Sequence, residues 1–200
     1  MKMNKKMLAW VIMACLSLSV QAQIAKWLVR PNYDFIEMMD YGLLKVASNG
    51  KIGLLNKEGK EILPLEFDSI TAFKEERALL FKYGKLYGIT DPYGQIFSIE
   101  GKEYKLPDGV NRFYSGLLLV RQNNQYFYLN TEGIQVFGPF AEAYPFFDGH
   151  ALVKSYADYP KNPNETYCDF INTEGIPFVL QDEDKKDISL CLHFIMEGQS

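Results

Sequence analysis

Histidine and cysteine are scarce in this 200-residue chain, with two and three residues. His150 and His193 leave little material for imidazole acid–base chemistry, and His150, following Asp148-Gly149 at a strand entry, reads as structural. Cys191 and His193 would share one strand face, and with Cys168 they could offer a thiolate–imidazole set. The paired spacing that zinc sites use is missing, so no metal site is expected. Asp182-Glu183-Asp184 lacks the spacing of a calcium loop and reads as a solvated charge run. There is no Gly-x-Ser-x-Gly elbow and no phosphate-cradling glycine loop. Carboxylates are plentiful, but nothing selects a pair for glycoside hydrolysis. No stretch beyond the N-terminus keeps a helical apolar period or reaches the length of a membrane span. The expectation is therefore no enzyme, no cofactor and no later transmembrane segment.

What is present begins at residues 1–22. Lys2, Lys5 and Lys6 form a basic start, Met7 to Val20 an apolar core, and Val20-Gln21-Ala22 a small-residue cleavage site. This predicts a secretory signal cut after Ala22, and hence a periplasmic, outer-membrane-associated or secreted protein, with a bacterial source expected. Ile12-Met13-Ala14-Cys15 is a poor lipobox because Met13 is bulky, which weighs against lipidation at Cys15. Loss of residues 1–22 removes three of 21 basic residues and none of 25 acidic ones, so 18 against 25 leaves a net charge of −7. That balance excludes a basic stripe for nucleic acid and disfavours docking on an anionic membrane. Cys168 and Cys191 remain as the only cysteines, either disulfide-bonded or buried as free thiols.

Residues 23–200 read as one all-β domain. Asn56-Lys57-Glu58-Gly59 sits between apolar runs and suits a type I turn closed by a left-handed glycine. The same punctuation returns at Asp91-Pro92-Tyr93-Gly94, Asn130-Thr131-Glu132-Gly133 and Asn172-Thr173-Glu174-Gly175. The closing glycines advance by 35, 39 and 42 residues, a period typical of an array or a propeller. A strand runs into each turn, at Ile52 to Leu55, Tyr87 to Thr90, Tyr126 to Leu129 and Cys168 to Ile171. Earlier apolar strands begin near Leu43, Ala78, Leu117 and Ala151; Gly42, Gly116 and Gly149 precede three of them, and Arg77 the other.

The predicted units span about 35–70, 71–105, 106–143 and 144–180, with a C-terminal strand or cap over 181–200 that includes Ile188 to Met196. Phe35, Phe73, Phe113 and Phe146 are expected as a recurring core. Pro31, Pro64 and Pro139 are expected to end strands. Glu100 to Arg112 should carry a short strand and a loop turned at Pro107-Asp108-Gly109, and Ser155 to Thr166 a surface insertion with an Asn164-Glu165-Thr166 sequon. The predicted architecture is a repetitive antiparallel hairpin and meander array, either open or closed as a four- or five-bladed propeller.

This pattern resembles the WG repeat family, whose units read Gly-Leu-Ala-x-Val, Gly-Lys-Trp-Gly-Tyr-Ile-Asp, x-x-Gly and Ile-Pro-x-x-Tyr-Asp. Gly50-Lys51-Ile52-Gly53-Leu54-Leu55-Asn56-Lys57-Glu58-Gly59, continuing to Ile62, Pro64, Phe67 and Asp68, carries the resemblance, and Gly84-Lys85-Leu86-Tyr87-Gly88-Ile89-Thr90-Asp91 repeats it. No unit keeps the tryptophan; Ile52, Tyr87, Tyr126 and Cys168 replace it. The resemblance implies a repetitive β architecture in an exported or envelope protein and no common catalytic residues.

Three functions remain open on the sequence. The first is a non-enzymatic binding or scaffold module of the cell envelope, acting on a protein or glycan. The second is glycan or cell-wall binding on an aromatic platform of Tyr83, Tyr87, Tyr93, Tyr126 and Tyr128, as in choline-binding modules, whose repeats are shorter and Trp-rich. The third is a divergent envelope hydrolase with its site near the 155–166 loop.

Overall fold

A short polar side chain opens each of the four predicted turns and bonds the backbone twice. In the computed structural model, which describes residues 33–155 and 169–178, Asn56 Oδ1 accepts the N–H groups of Glu58 and Lys60 at 3.1 and 2.9 Å. Asp91, Asn130 and Asn172 each accept two N–H groups in the same way, at 2.9–3.0 Å. The N–H of Gly59, Gly94, Gly133 or Gly175 returns to the carbonyl of the residue that opens the turn.

These turns join consecutive antiparallel strands in three sheets. The first sheet runs β1 (Phe35–Met38), β2 (Leu44–Ser48), β3 (Lys51–Leu55) and β4 (Glu61–Phe67). The second runs β5 (Ser69–Ile70), β6 (Ala78–Lys82), β7 (Lys85–Thr90) and β8 (Ile96–Ser98). The third holds β9 (Leu118–Gln122), β10 (Gln125–Leu129), β11 (Gln135–Ala143), β12 (His150–Ser155), β13 (Asp169–Asn172) and β14 (Pro177–Phe178). Within each sheet every strand pairs with its sequence neighbours, so each sheet is a meander, and the fold is the all-β repeat array expected.

The seams between repeats differ. β4 and β5 part at Asp68 into separate sheets, whereas β11 runs nine residues unbroken and pairs with both β10 and β12. Lys105 makes a single bridge to Arg121, and the loop after it turns as expected, with Val110 N–H on Pro107 O at 3.1 Å. The expected signal segment, Cys15, the 156–166 loop, Cys168, Cys191, His193 and the 181–200 cap lie outside the described residues. Among the described residues, no helix is long and apolar enough to cross a membrane.

The core sits between sheets. Leu79 buries against the third sheet, in the cluster of Ile89, Leu118 and Tyr128. Leu80, one residue on, buries against the first, with Leu54, Leu63 and Phe67. Adjacent strand residues point to opposite faces, so β6 must be apolar on both. Phe73, Phe113 and Phe146 are buried as expected.

Three expectations are corrected. Phe35 is 50% exposed on β1, and the place that Phe73, Phe113 and Phe146 fill before their turns belongs in the first unit to Met39, partly buried in the core. Pro64 and Pro139 lie inside β4 and β11, not at strand ends. Each sits at a bulge, where the register jumps and proline removes no ladder bond. The residue matching Gly42, Gly116 and Gly149 is Glu76, with φ of 60°, not Arg77. The turns there are two-residue hairpins at Glu75-Glu76, Ser115-Gly116 and Asp148-Gly149, and a three-residue 3-10 turn over Asp40–Gly42 in the first unit; the last two residues of each stand at positive φ.

Where β3 and β4 cross at the bulge, a Cβ on Gly53 would lie 2.7 Å from Leu63 O. The third unit has Phe127 at the matching place and moves the glycine to the opposite strand, where a Cβ on Gly138 would meet Tyr126 O at 2.6 Å. The turn glycines also carry the contacts between units. A Cβ on Gly94 would stand 2.6 Å from Ile62 O, and one on Gly133 2.6 Å from Ile99 Cγ2. Ile99 is buried and β-branched and cannot easily yield. Gly133→Ala should therefore cost about 2–4 kcal/mol, combining left-handed strain with overpacking. Gly84→Ala, with open space around it, should cost only the strain, about 1–2 kcal/mol. Denaturant melts of the two variants measure the difference, and equal losses would disprove the inter-unit contact.

Candidate functional site

The hairpin tips opposite the Asx turns are two-residue turns with both residues at positive φ: Asn49-Gly50, Tyr83-Gly84 and Asn123-Asn124. Asparagine tolerates this left-handed conformation, and a bulky aromatic does so only at a cost. Tyr83 nevertheless adopts φ of 54° and stands 85% exposed.

A carboxylate from the previous strand end steadies this tip. Asp68 Oδ2 accepts the Gly84 N–H at 2.9 Å, and its Oδ1 takes Lys51 Nζ at 2.6 Å. Asp34 does the matching job one unit earlier, accepting Asn49 N–H at 2.9 Å. Lys51 Nζ in turn lies 5.7 Å from the Tyr83 ring centre. Lys82 Nζ lies over two rings, 4.4 Å from Tyr87 and 4.8 Å from Phe67, and binds Glu66 at 2.7 Å. Tyr87 and Phe67 meet edge to face at 6.1 Å. Cations over ring faces are attracted by the ring quadrupole. Phe67 is itself fully buried, so the surface at the seam of the first two sheets consists of Tyr83, Tyr87 and the Lys51–Asp68 and Lys82–Glu66 pairs.

Its titrating groups are shifted by these partners. The hydrogen bond from Lys51, then that from Gly84 N–H, holds the Asp68 carboxyl below its ordinary value. The Glu66 hydrogen bond raises Lys82 and outweighs the opposing effect of burial. Both shifts favour the charged forms of Asp68 and Lys82.

The five tyrosines do not form one platform. Tyr83 and Tyr87 share this surface. Tyr93, 89% exposed, sits in the Asx turn at the far end of β7, about 20 Å away for six strand residues. Tyr126 lies half-buried on the third sheet, with Arg121 5.7 Å from its ring. Tyr128 is fully buried: its ring packs on Phe137, Phe140 and Phe146, and its hydroxyl donates to Tyr144 O at 2.6 Å. Burial pushes its phenol far above the ordinary value. Tyr128 therefore takes no part in a surface, because its side of β10 faces the core. His150 is exposed, with Nδ1 2.9 Å from Asp148 O beside the turn it closes. Among the described residues, no three His, Cys, Asp or Glu side chains gather as a metal site.

Sequence reasoning did not single out Lys51, Glu66, Asp68 and Lys82 as functional. The aromatic-Asp pairs Tyr33-Asp34 and Phe67-Asp68, each ahead of a two-residue tip, are the signal that could have found them.

Because the Asp68 carboxyl is held low in the folded protein, its contribution is complete above the ordinary carboxylate range near pH 4 and is lost as pH falls through the lowered value. Wild type should melt above Asp68→Asn at pH 7, and the gap should close on acidification below about pH 4. Melting temperatures of both proteins from pH 7 to 2.5 test this. A gap independent of pH would rule out the charged carboxylate as its source.

Residues 52–85 match the family model of the WG containing repeat. No curated protein matches the chain. The matched stretch runs from the second residue of β3 to the first of β7 and holds every member of the ring and ion-pair surface except Lys51 and Tyr87. Across these residues, at the seam of its first two sheets, the chain is similar to the WG repeat family.

Proposed function

We propose that this chain is an exported, non-enzymatic binding or scaffold module of the cell envelope, and that Tyr83 with Lys51, Lys82 and Tyr87 forms its contact surface. The observation that carries the reading is Tyr83 itself. A left-handed tyrosine is strained, and the matching tips use Asn49 and Asn123. Strain retained at an exposed side chain points to a role outside the fold. Tyrosine is among the residues that contact hot spots favour. The shifted groups nearby serve structural ends, since Asp68 caps the tip and Lys82 pairs with Glu66. Export rests on the basic start, apolar core and small-residue site of residues 1–22.

A protein partner and a glycan both fit the composition. The specific support for a glycan is that the Tyr83 ring is 85% exposed, leaving a face for a sugar to stack on.

Tyr83→Asn separates function from stability. Relief of the strain should leave the melting temperature unchanged or raised, a gain of about 0.5–1 kcal/mol. Capture of envelope proteins, or retention on soluble cell-wall glycans, should fall at least about tenfold, the effect of a 1.4 kcal/mol contact. Undiminished binding of both classes by Tyr83→Asn would refute the assigned surface. The cleavage expectation has its own check: the protein recovered from its native host should begin at Gln23.

A further inference from the structure

The third hairpin tip lacks a carboxylate that the first two carry. The N–H groups of Asp34, Asp68 and Lys105 bond the carbonyls of Ala47, Phe81 and Arg121, at 2.8, 2.8 and 2.9 Å. Each carbonyl lies two residues before the start of its tip, so the three residues hold one place in the repeat. An aromatic residue precedes each, as Tyr33, Phe67 and Tyr104. Asp34 and Asp68 turn their carboxylates onto tip N–H groups, at Asn49 and Gly84. Lys105 inverts the charge at that place and has no acceptor to offer. Asp68 also pairs with Lys51, the lysine after the preceding tip; one unit on, Glu103 takes that part and binds Lys85 at 3.4 Å.

Lys105 and Arg121 bridge directly across the ladder, so their exposed side chains share a face. Like charges placed opposite each other destabilise a sheet. Among the described residues, no ion pair includes either cation. The Arg121 guanidinium is held at the tip, donating to Asn124 Oδ1 at 2.8 Å. No acceptor among the described residues takes the N–H of Asn123 or Asn124. We propose that Lys105, Arg121 and the N–H groups of the Asn123-Asn124 tip bind a carboxylate from outside the chain, carried on the aspartate or glutamate of an acidic peptide. That carboxylate fills the place of the missing aspartate, accepting from the tip as Asp68 accepts from Gly84, and it neutralises the cation pair. Hydrogen bonds from a cation to a carboxylate are the strong kind, and the planar guanidinium suits a carboxylate geometrically. A peptide is the fitting carrier, because the two filled tips already accommodate an aspartate borne on extended backbone. The site makes no use of Tyr83.

The test titrates the full chain with a blocked Phe-Asp dipeptide, with blocked Phe-Asn as control, and follows backbone amide shifts by NMR. Phe-Asp should shift the Asn123 and Asn124 amides saturably, and Phe-Asn should bind at least about tenfold more weakly. Lys105→Asp restores the repeat's own carboxylate. It should therefore weaken Phe-Asp binding at least about tenfold while raising the melting temperature by about 2–4 °C. The paired readouts separate a filled site from a damaged fold. No saturable shift at Asn123 and Asn124, equal binding of Phe-Asn, or undiminished binding by Lys105→Asp would overturn the proposal. A melting temperature lowered by Lys105→Asp would overturn it too, by showing that this place does not receive a carboxylate.

Discussion

Turn-to-turn contact between successive units is the constraint on which the rest of this structure depends. Glu75, at the first left-handed position of its turn, sends its carboxylate to the next unit's turn. There it accepts the N–H groups of Ser115 and Gly116 at 2.8 and 2.6 Å. Ser115 Oγ then accepts Gly149 N–H from the unit after, at 3.2 Å. In the first unit, Tyr41 fills the matching position and packs edge to face on Phe73 at 5.7 Å. Each turn is thus completed by the one before it. The bonds from Glu75 are charge-assisted and outrank ordinary backbone bonds. They also explain why a glutamate tolerates φ of 51° there: the left-handed backbone aims the side chain along the array.

The opposite ends of the hairpins are tied by packing instead. Each Asx-turn glycine from the second unit on lies against the third strand of the unit before, at Ile62, Ile99 or Phe137. Arg77 adds a polar link, its Nε donating to Thr131 O at 3.1 Å while the guanidinium covers Phe97. No unit buries enough apolar surface alone, and stability in such a stack resides largely in the interfaces. The second sheet shows this most clearly, since β6 spends Leu79 on one neighbour and Leu80 on the other.

Local chemistry was legible in the sequence and tertiary geometry was not. The Asx turns could be read because Asn or Asp followed by Gly three residues later contains the whole hydrogen-bond pattern. Phe73, Phe113 and Phe146 were readable from recurrence, but Phe35 was misplaced by four residues, because methionine fills the core position in the first unit. Pro64 and Pro139 misled because a bulge depends on the partner strand. The same limit applied to the site. Tyrosines could be counted, but Tyr128 and Tyr83 differ only in which face or tip they occupy. The bond from Asp68 to Gly84 crosses between units, so no single repeat contains it.

The departures from the repeat pattern are most informative where they cost the fold something. Gly53 and Gly138 show the ordinary response to a steric demand: the glycine moves between strands, and the close approach is kept. Glu75 and Glu76 replace a glycine-containing pair, and the Glu75 bonds to Ser115 and Gly116 offset the strain. Tyr83 has no such return. Its ring is nearly free, its attraction to Lys51 acts at 5.7 Å on an exposed surface, and contacts of that kind contribute only about 0.5–1 kcal/mol. That sum roughly cancels the left-handed penalty of about 1–2 kcal/mol and leaves no folding advantage over asparagine. Fold stability alone therefore does not account for an aromatic at this tip, which is the ground for proposing the Tyr83 ring as a contact.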